Sequence, residues 1–278
     1  LELKKELENI KDSFSRISKI VYKTPVLSSI SINKALKADI TFKAECLQET
    51  GSFKLRGASS AISVLSKEEK SRGVVAFSSG NHAQGIAYAS RELGTSAKIV
   101  MPSDAPKIKI WKTQEYGAEV IFYERDEDNR EEIGFSIAKE EGRKLIKPFD
   151  DLNVIYGQGT AALEVMDEVD TKFDMSVVCC SGGGLAAGTG IVLKNSLSDC
   201  QLYTAEPKDW NDHEKSFLQN NIVSIKTKKH GMCDALENPQ PGEITFRINS
   251  ALNTKGLSAN DKYIICLLYT SDAADDVA

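Results

Sequence analysis

The sequence predicts an α/β fold in which parallel strands are covered by helices. Short runs of β-branched residues alternate along the chain with helical patterns, which is the order of repeated strand–helix–strand units. Glycine-containing turns follow two of these runs, and ligands in such folds bind at the carboxyl ends of strands. The 278 residues are sufficient for one large domain or two smaller ones. We therefore expect parallel sheets with both faces covered.

The individual elements are predicted from apolar periodicity and turn residues. Apolar residues recur at steps of three and four from Leu3 to Ile17, which indicates an amphipathic helix, and Pro25 ends that region. Strands are predicted at 40–43, 73–77, 97–101, 119–122, 175–180 and 201–205, with a further strand pattern at 263–265. Helices are predicted at 83–93, 108–116, 128–141 and 186–193. Cys179 and Cys180 lie on the run at 175–180 and are interpreted as small core residues.

Composition and charge exclude several classes of function. The net charge is −5 and the isoelectric point is about 5.5, and no basic face indicates a nucleic-acid binder. No apolar stretch reaches the roughly 20 residues that cross a bilayer. The six cysteines form no Cys-x-x-Cys pair, which argues against a zinc or redox site. The charged N-terminus lacks the apolar segment of a signal peptide, so we expect a cytoplasmic protein.

Lys54 is the residue for which the sequence predicts chemistry most directly. It lies in TGSFKLRG at residues 50–57, flanked by small and glycine residues where a loop enters a helix. Burial lowers the pKa of a lysine, and the amine can then bond covalently to an aldehyde cofactor. Phe53 is expected to pack against the cofactor ring. Arg56 is expected either to help neutralise a phosphate or to form a local ion pair.

Two further motifs are typical of anion-binding turns. Residues 181–185 (SGGGL) follow an apolar strand and precede a helix, so backbone N–H groups and the helix N-terminus point at an anion. No Gly-Lys-Ser/Thr follows, which excludes a Walker loop. Residues 78–82 (SSGNH) form a second such turn at the start of a helix. The alternative for the two serines is helix capping, and we expect His82 to hold the loop through a hydrogen bond instead of acting as a base.

Acidic residues follow the strand at 201–205. Glu206, Asp209 and Asp212 lie within AEPKDWND at 205–212. Carboxylate oxygens at such spacing suit Mg²⁺ or Ca²⁺. A solvated acidic loop is an equal alternative.

The three motifs, in this order and spacing, resemble the pyridoxal-phosphate (PLP) enzymes of fold type II. The similarity is to the threonine/serine dehydratase (ammonia-lyase) and serine racemase branch, and it runs from about residue 13 to about residue 265. It implies a tryptophan synthase β-like fold with two interleaved open parallel-sheet domains. The small domain is expected at 73–147 and the large one at 1–72 plus 148–265, with PLP in the cleft between them.

The resemblance also implies roles for the motif residues. Lys54 is expected to bind PLP covalently and to act as the base at the substrate Cα, and Ser79 to donate a proton on the opposite face in racemases. The implied cofactor-binding set is Phe53, Lys54, Asn81, Ser181, Gly182, Gly183, Gly184 and Leu185. The implied substrate-binding set is Ser78, Ser79, Gly80, Asn81 and His82. The implied ligands of a divalent cation are Glu206, Asp212 and the Trp210 carbonyl.

The resemblance implies PLP-dependent dehydration of L-threonine or L-serine to 2-oxobutyrate or pyruvate and ammonia, the first of which belongs to isoleucine biosynthesis. The alternatives are a serine or aspartate racemase, a dehydratase of 3-hydroxyaspartate and an inactive binding homologue. A small amino-acid substrate and a homodimer are expected, without a nucleic-acid or membrane partner.

The last residues depart from the pattern that precedes them. From Cys266 the string CLLYTSDAADD resembles the translation of a sequencing-library adapter. We expect residues 266–278 to be a non-native tail on a C-terminally truncated fragment, and a divergent acidic tail is the alternative. The resemblance implies that a small polar partner of the pyridine nitrogen would lie in the segment that this fragment lacks.

Overall fold

The computed structural model describes residues 2–125, 127–170, 172–227 and 229–267. The strands are β1 Val26–Ser28, β2 Thr41–Lys43, β3 Val74–Phe77, β4 Ala97–Pro102, β5 Glu119–Tyr123, β6 Lys144–Leu145, β7 Met175–Cys179, β8 Gln201–Pro207 and β9 Lys255–Ala259. The helices are α1 Leu3–Ile17, α2 Ile30–Leu36, α3 Lys54–Ser63, α4 Lys67–Arg72, α5 Asn81–Glu92, α6 Lys107–Glu115, α7 Arg130–Glu141, α8 Leu152–Glu168, α9 Gly184–Ser196, α10 Asp212–Gln219 and α11 Glu243–Ala251. The predicted α/β fold class is confirmed.

The first parallel sheet has the strand order β5-β4-β3-β6 and is covered on both faces. Val74 and Ala76 of β3 pack into one core cluster with α5, whereas Val75 and Phe77 pack into another with α7. Alternate side chains of a strand point to opposite faces. Because both faces are apolar, all of β3 is buried, as expected for a central parallel strand.

The second parallel sheet, β7-β8-β9, is covered on one face only in the part of the chain that the structure describes. Helices α9 and α10 pack on the covered face. On the other face Met175 is 56% exposed and Val177 is 52% exposed, and Cys179 is also exposed. The prediction of two covered faces is therefore wrong for this sheet, and so is the interpretation of Cys179 as a core residue. Because residues 175–180 are almost all apolar, the sequence does not show that their side chains alternate between a buried and an exposed face of the sheet.

One further prediction is wrong, because residues 261–267 are helical where the sequence indicated a strand pattern at 263–265. A run of three apolar residues does not distinguish a strand from a helix. Residues 268–278, which make up most of the predicted non-native tail, lie outside the described residues. No helix in the described ranges is both long and apolar enough to span a bilayer.

Helix α3 is held close to α8 because glycines occupy the point where the two helices cross. A Cβ on Gly157 of α8 would lie 2.6 Å from the Cα of Gly57 in α3. Helix α8 in turn contacts α9 at Gly159 and Gly188, where a Cβ would meet backbone atoms. This close approach fixes the start of α3, and with it Lys54. The strands of the first sheet lie within residues 74–145 and those of the second within 175–259. This separation supports our proposal of a small domain at 73–147 and a large domain at 1–72 plus 148–265.

Candidate functional site

Lys54 is the first residue of α3 and its amine reaches into a cleft between the two sheets. Its Nζ donates a hydrogen bond to the carbonyl oxygen of Pro148 at 2.8 Å. The same Nζ lies 5.3 Å from the ring centroid of Phe53. Burial lowers the pKa of the Lys54 amine to about 8. A substantial neutral fraction is therefore present near physiological pH, which is the form that attacks an aldehyde.

The glycine loop, defined as Ser181–Gly184, joins β7 to α9. Gly183 has a φ of +89°, in the left-handed region that favours glycine. A Cβ on Gly182 would overlap the ring of Phe149, and one on Gly183 would lie 2.6 Å from Cε1 of His213. The loop thus has no room for a side chain at Gly182 or Gly183, and its backbone N–H groups at the N-terminus of α9 are available to an anion.

The second turn, Ser78–Gly80, joins β3 to α5. Ser78 Oγ accepts a hydrogen bond from the N–H of Gly80 at 3.2 Å, and no side chain caps α5. The capping alternative for Ser78 and Ser79 is therefore wrong. Ser79 and Asn81 border the same cleft as Lys54. The backbone at this helix start forms a second anion-binding surface.

His82 lies just inside α5 and is buried. Its Nε2 is 3.2 Å from the carbonyl oxygen of Ile146, so the ring holds the turn against the segment after β6. Burial and the nearby charge of Lys54 lower the pKa of His82 to about 3. The ring is therefore neutral at physiological pH and is a poor proton acceptor. This geometry agrees with the expectation that His82 holds the loop.

The two turns and Lys54 enclose one cavity of about 190 Å³. All residues of the predicted cofactor and substrate sets line this cavity: Phe53, Lys54, Ser78, Ser79, Gly80, Asn81, His82, Ser181, Gly182, Gly183, Gly184 and Leu185. Further lining residues, to which the sequence alone assigned no role in the site, are Lys109, Arg130, Phe149, Cys179 and Asp234. Lys109, Arg130 and Phe149 lie in no motif, because tertiary packing alone brings them to the cleft.

Arg56, two residues after Lys54, forms the local ion pair and does not line the cavity. It is fully buried, and its guanidinium donates to Glu45 at 2.8 Å and to Glu164 at 2.7 Å. Glu164 also accepts from Lys43 at 2.7 Å. The phosphate-neutralising alternative for Arg56 is wrong, because both carboxylates occupy its donors on the side of α3 that faces α8.

Glu206 and Asp212 are buried side by side at the end of β8 and the start of α10. Glu206 accepts from the N–H groups of His213 at 3.0 Å and Glu214 at 2.9 Å. Both oxygens of Asp212 are buried and have no hydrogen-bond partner among the described residues. Burial raises the pKa of the Glu206 carboxyl, and burial together with repulsion from Glu206 raises the pKa of the Asp212 carboxyl well above its usual range.

This pair matches the chemistry of a hard cation, which binds carboxylate and carbonyl oxygens. The Trp210 backbone lies in a short 3₁₀ turn between the two acids, and its indole N–H donates to Lys229 O at 2.9 Å. Asp209 instead forms a surface pair with Lys229 at 3.5 Å, so the solvated-loop alternative holds for Asp209 and is wrong for the buried pair. No group of three or more His, Cys, Asp or Glu side chains that could hold a metal occurs in the described ranges.

Comparisons with known proteins agree with this site. The family described as "Pyridoxal-phosphate dependent enzyme" matches residues 17–268. Serine racemase of Schizosaccharomyces pombe is 40% identical over 263 residues, which are 94% of this chain and 81% of that protein. L-threo-3-hydroxyaspartate ammonia-lyase of Saccharomyces cerevisiae is 44% identical over 240 residues, or 86% and 73% of the two chains. The crystal structure of serine racemase from Dictyostelium discoideum has a TM-score of 0.85 at 38% identity, covering 92% of this chain and 81% of the other.

Proposed function

Because this chain belongs to the pyridoxal-phosphate-dependent enzyme family, we propose that it binds PLP through Lys54 and racemises a small β-hydroxy amino acid such as serine. The single observation that carries this proposal is the shared cavity of Lys54 and Ser79. Lys54 begins α3, and Ser79 lies in the turn between β3 and α5 on another part of the cleft lining. A racemase needs one group that removes the Cα proton and another that returns a proton on the other side.

The residues present fit PLP. The glycine loop lines the cavity and lies at the N-terminus of a 13-residue helix, which favours a phosphate. Lys54 supplies an amine of lowered pKa, and Phe53 supplies an apolar wall. When bound, PLP supplies an electron sink that acidifies the Cα proton of an amino acid.

The chain's own groups then have separate tasks. Lys54 would hold the cofactor through its aldehyde, and its free amine would take the proton from the substrate Cα. The hydroxyl of Ser79 would return a proton to Cα, and Asn81 would contact the pyridine hydroxyl. The backbone of 78–82 binds the substrate carboxylate. His82 stays neutral and holds this turn in place.

Elimination competes with racemisation after the Cα proton has left, because a β-hydroxyl can then depart. The similarity to serine racemase and to 3-hydroxyaspartate ammonia-lyase favours these activities over the dehydration of L-threonine that the sequence analysis placed first. The intact Lys54, Asn81 and glycine loop argue against an inactive binding homologue.

The second candidate, elimination from 3-hydroxyaspartate, is favoured by two cations that line the cavity. Lys109 lies beside the substrate turn, since its Nζ is 3.6 Å from the position of a Cβ on Gly80. The Arg130 guanidinium lies 5.7 Å from the ring centroid of Phe77. Lys109 also pairs with Asp234 at 3.1 Å, so a second carboxylate on the substrate would pair with Arg130 and compete with Asp234 for Lys109.

The test is to load the protein with PLP and to compare it with Lys54→Ala and Ser79→Ala. The visible absorbance of the lysine-bound cofactor should disappear in Lys54→Ala. Ser79→Ala should lose D-serine formation from L-serine yet still release 2-oxo acid, because Lys54 alone removes the Cα proton. Ser71→Ala, a substitution of an exposed serine on α4, is the control. Formation of 2-oxobutyrate from L-threonine without any D-serine from L-serine would restore the dehydratase assignment.

We also propose that Glu206, Asp212 and the Trp210 carbonyl bind Mg²⁺ or Ca²⁺. The observation that supports this is the pair of unpartnered, buried oxygens on Asp212. Two carboxyl groups buried side by side are costly to ionise without a counter-charge, which is why the pKa of each is raised. A divalent cation bound there supplies that charge.

A further inference from the structure

Helix α11 lies behind the glycine loop and makes hydrogen bonds to two successive carbonyls of that loop. The hydroxyl of Thr245 donates to the carbonyl oxygen of Gly182 at 2.6 Å. The side-chain amide of Asn249 donates to the carbonyl oxygen of Gly183 at 3.2 Å. Thr245 and Asn249 are both fully buried and lie one helical turn apart, so they share one face of α11.

The start of α11 is itself fixed by the segment 148–150, which also contacts the two main parts of the site. Asp150 accepts hydrogen bonds from the backbone N–H of Ile244 at 2.8 Å and from that of Thr245 at 3.4 Å. The carbonyl oxygen of Pro148 accepts the hydrogen bond from Lys54 Nζ. The ring of Phe149 fills the space beside Gly182. Lys54, the glycine loop and α11 are therefore connected through three consecutive residues.

A carbonyl that is held in place also fixes the N–H on the other side of its peptide plane. The peptide group is planar and trans, so the C=O of one residue and the N–H of the next point in opposite directions. Thr245 thus sets the direction of the Gly183 N–H, and Asn249 sets that of the Gly184 N–H. Glycine has little conformational preference of its own, and the left-handed Gly183 depends on such external bonds.

We propose that Thr245 and Asn249 are positioning residues that aim two backbone N–H donors of the glycine loop at the phosphate of the cofactor. Neither side chain lines the cavity, so both act through the loop carbonyls. This inference rests on the cofactor of the proposed function but is independent of which amino acid the protein converts.

The experiment compares how tightly the metal-free, cofactor-free full chain binds PLP and pyridoxal, which lacks the phosphate. Thr245→Val keeps the shape of the side chain and removes the hydroxyl. We expect PLP affinity to fall about tenfold, because the Gly182 carbonyl keeps only the longer 3.4 Å bond from the Gly242 N–H and the Gly183 N–H is less firmly directed. Pyridoxal affinity should stay unchanged, and the ³¹P signal of bound PLP should shift. Thr245→Ser retains the hydroxyl and should restore both the PLP affinity and the signal.

Thr204→Val is the matched control, because Thr204 is a buried threonine whose hydroxyl donates to the Lys255 carbonyl at 3.4 Å, away from the loop. It should leave the ratio of PLP to pyridoxal affinity unchanged. The proposal would be overturned if Thr245→Val lowered the affinities for PLP and pyridoxal equally, or if it did not lower the affinity for PLP. Asn249→Leu is a second test, which should lower the ratio of PLP to pyridoxal affinity in the same way. If Asn249→Leu does not fold, the comparison of Thr245→Val with Thr245→Ser tests the proposal by itself. Wild-type protein without Lys54-dependent absorbance would instead show that the cofactor assignment itself fails.

Discussion

Replacing Arg56 by methionine should destabilise the protein strongly without removing any group from the cofactor cavity. Arg56 is fully buried and donates to both oxygens of Glu45 and of Glu164, to Thr160 and to the Tyr22 carbonyl. Methionine preserves much of the side-chain length but has no charge and no donors. The variant therefore isolates the contribution of the guanidinium.

The expected magnitude follows from what the substitution leaves behind. Glu164 is 2% exposed and would keep only Lys43 as a counter-charge, while Glu45 is 12% exposed. Removing one partner of a buried ion pair costs about 3–5 kcal/mol, because the remaining charge stays buried without compensation. The total stability of a folded domain is about 5–15 kcal/mol. The variant should therefore lose a large share of its free energy of unfolding.

Urea unfolding followed by circular dichroism measures this loss as a lower transition midpoint. Arg125→Met is the matched control, because Arg125 forms a single exposed pair with Asp104; it should cost less than about 1 kcal/mol. PLP affinity of the fraction of Arg56→Met that is folded should equal that of the wild type. A stable Arg56→Met protein with weakened PLP binding would refute the structural role and restore the phosphate-neutralising alternative.

Three other changes test the site. Gly182→Ala should reduce PLP affinity at least about 100-fold in equilibrium dialysis, because its Cβ would overlap the Phe149 ring; unchanged affinity would contradict the close packing. The rate at which Lys54 is captured by pyridoxal and borohydride should rise with pH to a midpoint near 8, because its lowered pKa leaves the amine neutral above that value, whereas a midpoint near ~10.4 would indicate an ordinary lysine. Asp212→Asn should abolish the rise in melting temperature caused by Mg²⁺ or Ca²⁺, and an equal rise in both proteins would exclude this cation site.

The parts of the site that occupy short continuous motifs could be predicted from the sequence. Lys54 and the two turns combine glycine with a polar or charged residue beside a strand or helix end, so the local pattern carries the signal. Lys109 and Arg130 carry no such signal. Lys109 lies within α6 and Arg130 begins α7, two helices with an ordinary surface composition, and the fold alone brings both residues to the cleft.

Helices α8 and α11 were not predicted, for two different reasons. Residues 154–162 of α8 are all buried, so α8 has no polar stripe from which a helical period can be read. In α11, buried Thr245 and Asn249 interrupt the apolar face with polar residues. Both polar residues donate hydrogen bonds to the glycine loop, which lies about 60 residues earlier in the chain, so the local sequence does not explain them. The homodimer, the cytoplasmic location and the non-native tail stay predictions.

The order in which the chain is synthesised has a consequence for Lys54. The first sheet is continuous in sequence, so its residues 74–145 emerge from the ribosome together. Helix α3 emerges before them, but its main partner α8 comes later; Arg56 and Glu164 are 108 residues apart. Domains generally fold as units during synthesis, whereas distant contacts form late. We therefore expect the first sheet to fold before α3 has its partner α8. The Lys54 amine is then buried, and its pKa lowered, only after the second half of the chain has been synthesised.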